Sequence, residues 1–292
     1  MKLTNCRLLF FVFIAPFSIK GQTNDVYPDL FGGYFSNMAL ISPAYFPKEG
    51  KTEFALSYKS RTGAFSKIST FAFVASRVLQ YQKKNNHLVR VFFYNQKDGP
   101  YINHPRAYAN YAYSISLFKD VKIAAGFAMG FVQTSFSAPS ATANGNATSP
   151  DGSVGISFKY KKDLECGIVS SQIFNSAVSP IAAPIIYKRY YTFYINYTVV
   201  LSTFLKVNNY ALWRNTPGVM SDYVVSSLLN YKDVFSFGGS YRYSKSLSFF
   251  ISTKINFGKE ILLLSFVYNT PFFTKIPAWT DSAEFHSEYS LY

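Results

Sequence analysis

Residues 187–201 read YKRYYTFYINYTVVL. From Tyr190 onward they divide by twos. One set is Tyr191, Phe193, Ile195, Tyr197, Val199 and Leu201; the other is Tyr190, Thr192, Tyr194, Asn196 and Thr198. Successive side chains of a strand point to opposite faces, so this stretch reads as a long strand with one wholly apolar face. The same period recurs elsewhere. In 246–257, Leu247, Phe249, Ile251, Ile255 and Phe257 alternate with Ser246, Ser248, Ser252, Lys254 and Asn256. In 121–132, Val121, Ile123, Ala125, Phe127, Met129 and Phe131 alternate with Lys122 and small residues. In 153–160, Val154, Ile156, Phe158 and Tyr160 alternate with Ser153, Gly155, Ser157 and Lys159. No helical period competes over such lengths.

Extended along the chain, the pattern predicts fourteen strands, near 51–61, 67–79, 87–96, 105–118, 121–136, 152–161, 164–174, 187–201, 203–215, 222–232, 234–244, 246–257, 260–269 and 282–292. Most reach ten residues. Soluble strands average about 5–6 residues, whereas a tilted membrane strand needs about 9–11. The expected fold is therefore all-β: a transmembrane β-barrel of about 14 antiparallel strands in an outer membrane.

The connections fit that fold. Lys119-Asp120, Lys161-Lys162-Asp163, Lys232-Asp233 and Gly258-Lys259 are short polar turns, and 97–104, 137–151, 175–186 and 216–221 are longer loops. Bacterial barrels alternate short periplasmic turns with long extracellular loops, which puts the start of the barrel in the periplasm. The short link at Ser244-Lys245 departs from the alternation. Aromatic clusters at strand ends (Phe92, Phe93, Tyr94; Tyr187, Tyr190, Tyr191; Phe272, Phe273) suit interfacial girdles.

Composition agrees. Of 292 residues, 49% are apolar, 19% aromatic and only 15% charged, against about 25% charged in average globular domains. That excludes disorder. The net charge of +14 suggests nucleic acid at first sight, but no run of Lys and Arg exceeds two. Lys2 and Arg7 precede the apolar run Leu8–Phe17, which is too short to span a bilayer and reads as a signal peptide cleaved after Gly21. Removing Lys2, Arg7 and Lys20 leaves about +11. Cys6 precedes the apolar run and cannot be a lipoprotein anchor. The expected organisation is a signal peptide over 1–21, a periplasmic lead-in over 22–50 and the barrel over 51–292.

Chemistry is sparse. Two Cys and three His supply neither a structural zinc site nor a disulfide framework, and no cofactor motif occurs. Cys166, beside Gly167, reads as a small wall residue. His87 falls at a turn, His104 in a long loop and His286 in the last strand. A serine hydrolase needs nucleophile, base and acid to converge. No GxSxG is present, and no enzyme is expected; one would depend on His104 or His286. Arg77, Arg90, Lys159, Lys206, Arg242 and Lys254 fall inside strands and are expected in the lumen or near headgroups, because facing lipid at mid-depth is costly. The stretch Asp25–Gly50, DVYPDLFGGYFSNMALISPAYFPKEG, is apolar and aromatic without strand period. Physics alone leaves two readings open: a clamp that packs under the barrel, or a partner-binding or family-specific element.

That stretch resembles the start of the PorP/SprF family of type IX secretion system membrane proteins. The resemblance rests on Tyr34 and Phe35, then Asn37-Met38, then Ser42-Pro43-Ala44-Tyr45 with Gly50 following, and a first strand at Glu53–Tyr58. Pro150–Ile156, Phe237–Tyr243, Val267-Tyr268-Asn269 and the terminal Tyr292 are similar to later family segments. Ser42, where the family usually has Asn, and the spacing from Tyr45 to Gly50 mark a divergent member.

The resemblance implies a barrel of Bacteroidota that binds rather than catalyses. It would support surface display or secretion of an adhesin-type cargo with a type IX C-terminal domain, in some members a gliding-motility adhesin. The implied partners are that cargo, periplasmic machinery of the system and outer-membrane lipid, with no nucleic acid. Loops 97–104, 137–151, 175–186 and 216–221 would face outward, and residues 25–50 the periplasm. The alternative is a porin-like channel for small solutes, since about 14 strands lie between filled small barrels and open porins. The longest loop, 137–151, carries only Asp151 as a charge.

Overall fold

The computed structural model describes residues 27–47, 51–82, 85–137, 144–161, 163–181, 184–218, 221–243, 246–271 and 281–292. The expected signal peptide, Gly50, the link at Ser244-Lys245 and the pair Phe272-Phe273 lie outside them. Among the described residues no helix is long and apolar enough to cross a membrane. The strands are β1 Thr52–Arg61, β2 Ser69–Gln82, β3 Asn85–Lys97, β4 Ile102–Phe118, β5 Val121–Phe136, β6 Gly145–Tyr160, β7 Leu164–Ser171, β8 Ala177–Val178, β9 Ile185–Ile186, β10 Tyr190–Ser202, β11 Leu205–Asn215, β12 Asp222–Tyr231, β13 Phe235–Arg242, β14 Ser246–Phe257, β15 Glu260–Pro271 and β16 Ser282–Leu291.

β8 and β9 form a small separate pair; the other fourteen strands close into an antiparallel barrel, with β1 paired to β16 from Thr52↔Leu291 to Arg61↔Ser282. Closure removes both sheet edges. The period of two sets the faces. Val225, Phe249 and Ile251 point outward and remain 57–60% exposed, while their neighbours Ser226, Ser248 and Thr192 on β10 are buried inside. An apolar exterior this extensive far exceeds the few hundred Å² that soluble monomers tolerate and suits hydrocarbon. Cys166 is a half-buried free thiol.

One rim carries tight turns. Lys232 and Asp233 both have φ near +55°, and the Val234 amide donates to the Tyr231 carbonyl at 3.1 Å, the type I′ geometry that matches strand twist. At this rim Lys161 lies 5.3 Å from the Tyr160 ring and Lys232 5.3 Å from the Tyr231 ring, pairs that suit a membrane interface. The other rim carries the long connections.

Three expected boundaries differ. β3 runs to Lys97 and β4 begins at Ile102, so half of the expected loop 97–104 is strand, and His104 is a buried strand residue. His87 likewise lies in β3 rather than at a turn. β6 begins at Gly145, so the second half of the expected loop 137–151 pairs with β5, Phe136↔Gly145 through Gly130↔Asp151. Pro150 lies inside β6 although it lacks an N–H. Here its edge faces no strand partner: β7 pairing stops at Ser153↔Ser171, and the Pro150 carbonyl takes the Ser176 hydroxyl at 2.9 Å instead. Edge positions tolerate proline.

The stretch expected ahead of the barrel is inside it. Strand faces rich in small polar residues leave the lumen wide, and residues 27–47 fill it. Tyr27 packs edge-on against Tyr190 at 5.9 Å, beside the long connections. From there the chain descends through a 3-10 helix, Tyr34–Leu40, to Tyr45. Met38, Tyr34 and Ala39 pack with Tyr210, Leu212, Val224 and Phe250 of the wall, and Phe35 stacks on Tyr210 at 5.0 Å. The main hydrophobic core of this protein therefore sits within its barrel.

Candidate functional site

Two constructions stand out: the seating of residues 27–47 and the built-up side of the long-connection rim.

The upper seating is ionic. Lys59 Nζ lies 2.9 Å from Asp29 and 3.4 Å from Glu284. Arg214 and Arg242 share Asp222, at 2.5 and 2.8 Å, and Arg214 also donates to the Pro28 carbonyl at 2.8 Å. Arg242 stands 3.7 Å from Asp29. Three cations thus meet three carboxylates, so the cluster is internally neutral, as buried charge must be. Glu284 is the hub. Its carboxylate accepts the amides of Gly32 and Gly33 at 2.8 and 3.0 Å and the Asn269 amide at 3.0 Å. A Cβ on Gly32 would lie 2.0 Å from Asn269 Oδ1, so any side chain there would push Asn269 off Glu284.

Below it, Asn37 donates to Ser57 at 3.3 Å. The next carbonyls are each taken by the wall: Pro43 by Asn110 at 3.1 Å, Ala44 by Ser157 at 3.1 Å, and Tyr45 by Arg90 at 2.7 Å. The segment has no sheet or helix partner there, so wall side chains satisfy a backbone that otherwise has none. Gly126 makes this approach possible: a Cβ there would lie 2.3 Å from the Pro43 carbonyl oxygen. Of the six family-motif positions, Asn37, Met38, Pro43, Ala44 and Tyr45 all lie within this seating, and Gly50 lies outside the described residues. Arg90 and Arg106, both inside strands, are buried in the lumen; Arg77 is exposed near the end of β2.

His286 stands between Ser57, 2.9 Å from Nδ1, and Glu284, 3.2 Å from Nε2. That order matches nucleophile, base and acid. Its surroundings make it a support instead. Ser57 is 1% exposed and already accepts from Asn37, and the two glycine amides beside it are bound by Glu284. The signal for this trio was available only in part: Glu284 and His286, two apart, share one strand face, but nothing announces Ser57. His104 does not join them. Its Nδ1 lies 3.0 Å from Thr134 and 3.3 Å from the Tyr187 hydroxyl. Among the described residues, no group of His, Cys, Asp and Glu is arranged to hold a metal ion.

His104 belongs to the raised side of the rim. β6 continues eight residues beyond its last β7 partner, about 25 Å at strand rise. Segment 172–189 folds onto this extension. The Ile173 amide donates to the Gly152 carbonyl at 3.2 Å, and Val178 and Tyr187 pack on Val132. At its base, Asp98 accepts from Gln96 at 2.9 Å and lies 3.4 Å from His104. Burial pushes the Asp98 carboxyl up, but hydrogen bonds from His104 and Gln96 outweigh it and hold it below the usual carboxylate range. Sequence reasoning marked 137–151 and 175–186 as separate loops and missed that the start of β6 packs with Ile173, Val178 and Tyr187.

The barrel is similar in fold to the Ralstonia pickettii toluene transporter TbuX, with a TM-score of 0.57 and 9% identity over 87% of this chain and 93% of that one. It is likewise similar to a Pseudomonas aeruginosa FadL homologue, at TM-score 0.56 and 8% identity over 86% and 93%. For the Pseudomonas putida toluene transporter TodX the values are 0.53 and 10% over 87% and 92%. Identities this low speak for the fold alone. No curated protein sequence matches the chain. The family described as type IX secretion system membrane protein PorP/SprF matches residues 23–286, which takes in both the lumen segment and nearly the whole wall. The chain belongs to the PorP/SprF family, outer-membrane components of type IX secretion.

Proposed function

We propose that this barrel binds a partner protein, an adhesin-type cargo with a type IX C-terminal domain, and supports its secretion or display at the cell surface. The observation that carries the reading is the division of labour between lumen and rim. The lumen is occupied by residues 27–47, which suits a platform rather than an open pore. The long-connection rim carries a packed, asymmetric projection built from β4, β5, β6 and segment 172–189. Long connections face outward in bacterial barrels, so this projection is the surface offered to cargo. The opposite rim, with its tight turns, is offered to periplasmic machinery.

The test is affinity purification of the tagged protein from native outer membranes, followed by mass spectrometry. Enrichment of a large secreted protein with a type IX C-terminal domain supports the reading and names the cargo. Recovery of the barrel alone, at the level of an unrelated barrel control, counts against it. A second arm replaces 138–144 with a short Gly-Ser linker, which spares the paired strand from Gly145. Cargo retention should fall; undiminished retention removes that connection from the docking surface.

A further inference from the structure

We propose that the lumen holds a binding site for a small aromatic or branched carboxylate, with Arg106 as its anchor. A cavity of about 90 Å³ lies between the lumen segment and the wall of β3, β4, β6, β10 and β11. That is room for about three waters, and the cavity is partly open, so a bound acid would seat its carboxylate there and extend its apolar part outward. Phe92 and Tyr108, stacked at 4.6 Å, line it with Leu30 and Leu212. Arg106 also lines it and is 3% exposed.

The guanidinium is left half used. Its Nη1 faces Asp151 at 3.9 Å. Asp151 is itself engaged by the Tyr108 hydroxyl at 2.5 Å and the Gly152 amide at 2.7 Å. Among the described residues Arg106 Nε and Nη2 have no hydrogen-bond partner. These two donors form the side-on fork that takes the two oxygens of a carboxylate. The rings of Tyr187 and Tyr94, at 5.3 and 6.0 Å, steady the cation but do not fill that fork. A buried cation with an open fork, beside a cavity walled on one side by Phe92, Tyr108, Leu30 and Leu212 and elsewhere by Asp29, Asp151 and Arg214, has the chemistry of a carboxylate site. The inference is independent of the secretion reading.

The experiment titrates the purified, folded barrel in detergent with benzoate and, separately, with benzamide, which has the same shape without the charge. Benzoate should bind at least about tenfold more tightly, as a charge-assisted fork requires. In Arg106→Gln that preference should vanish while heat-modifiable gel mobility still reports a folded barrel. If the variant does not fold, the wild-type benzoate-to-benzamide ratio decides alone. Equal binding of the two probes would make the cavity merely apolar and overturn the proposal. So would no benzoate binding, or a preference that survives Arg106→Gln. A tripeptide ending in phenylalanine, as free acid and as amide, separates the sources. If the free acid outbinds benzoate, the ligand is a polypeptide chain end; if it is weaker, a free small acid.

Discussion

Glu284 on the last strand accepts the backbone amide of Gly33 at 3.0 Å, across 251 residues of sequence. With Gly32, Lys59, Asn269 and His286 around it, that carboxylate is satisfied on every side. Glu284→Ala would leave the two glycine amides without their acceptor and Lys59 with Asp29 as its one remaining carboxylate. Breaking a buried ionic group costs about 3–5 kcal/mol, and Glu284→Gln, which keeps two of the hydrogen bonds, should cost about 1–3 kcal/mol. Urea unfolding in lipid, followed by heat-modifiable gel mobility, measures both. Equal midpoints for wild type and Glu284→Ala would show that the cluster contributes nothing.

Filling of the lumen by residues 27–47 makes a prediction about conductance. Wild-type protein in planar bilayers should show no persistent open state. Deletion of 27–47 should open a stable, ohmic channel, because the remaining wall is a closed ring of fourteen strands with small polar side chains inside. A steady pore in the wild type would revive the channel alternative and weaken the platform reading.

Gly126→Val tests the close approach at Pro43. The added side chain meets backbone rather than a flexible tip, and overpacking of this kind costs about 1–3 kcal/mol. The displaced segment should become sensitive to protease in the purified barrel, with strand content by circular dichroism unchanged. Resistance equal to wild type would mean that the segment is held from its upper end alone.

The exterior can be checked at Ile156, which pairs with Ile168; both are more than half exposed. Ile156→Arg, near mid-wall, should cost about 2–4 kcal/mol in a bilayer. In a soluble protein an exposed isoleucine to arginine change is close to neutral. A neutral result in liposomes would place this face away from lipid.

The wall was legible because the period of two is local: each strand announces itself within ten residues. Phe249 and Ser248 assign their own faces without knowledge of any partner. Strand ends were less legible where proline intervened, since Pro150 stops a strand only if its missing N–H is needed, and that depends on a neighbour 20 residues away. The lumen segment is visible in the sequence as unusual, but the sequence places it ahead of the barrel as a periplasmic lead-in rather than inside it. Its contacts reach from Ser57 to Glu284, and no periodic signal encodes a backbone held by scattered side chains. Arg90 and Ser157 read in the sequence as ordinary strand polarity, and only the carbonyls of 43–45 beside them, with Asn110, reveal their second task.

The fastening of Gly32 and Gly33 to Glu284 also fixes an order of events during assembly. Gly32 and Gly33 lie ahead of β1 and find their acceptor on β16, so this fastening cannot form until every intervening hairpin is in place. Contacts of such sequence separation form late because the entropy of closing the intervening chain must be met first. An incomplete barrel of this protein would carry an empty, hydrated interior and a loose leading segment. Occupation of the interior thus waits on completion of the wall, and a truncation that removes only β16 forfeits both.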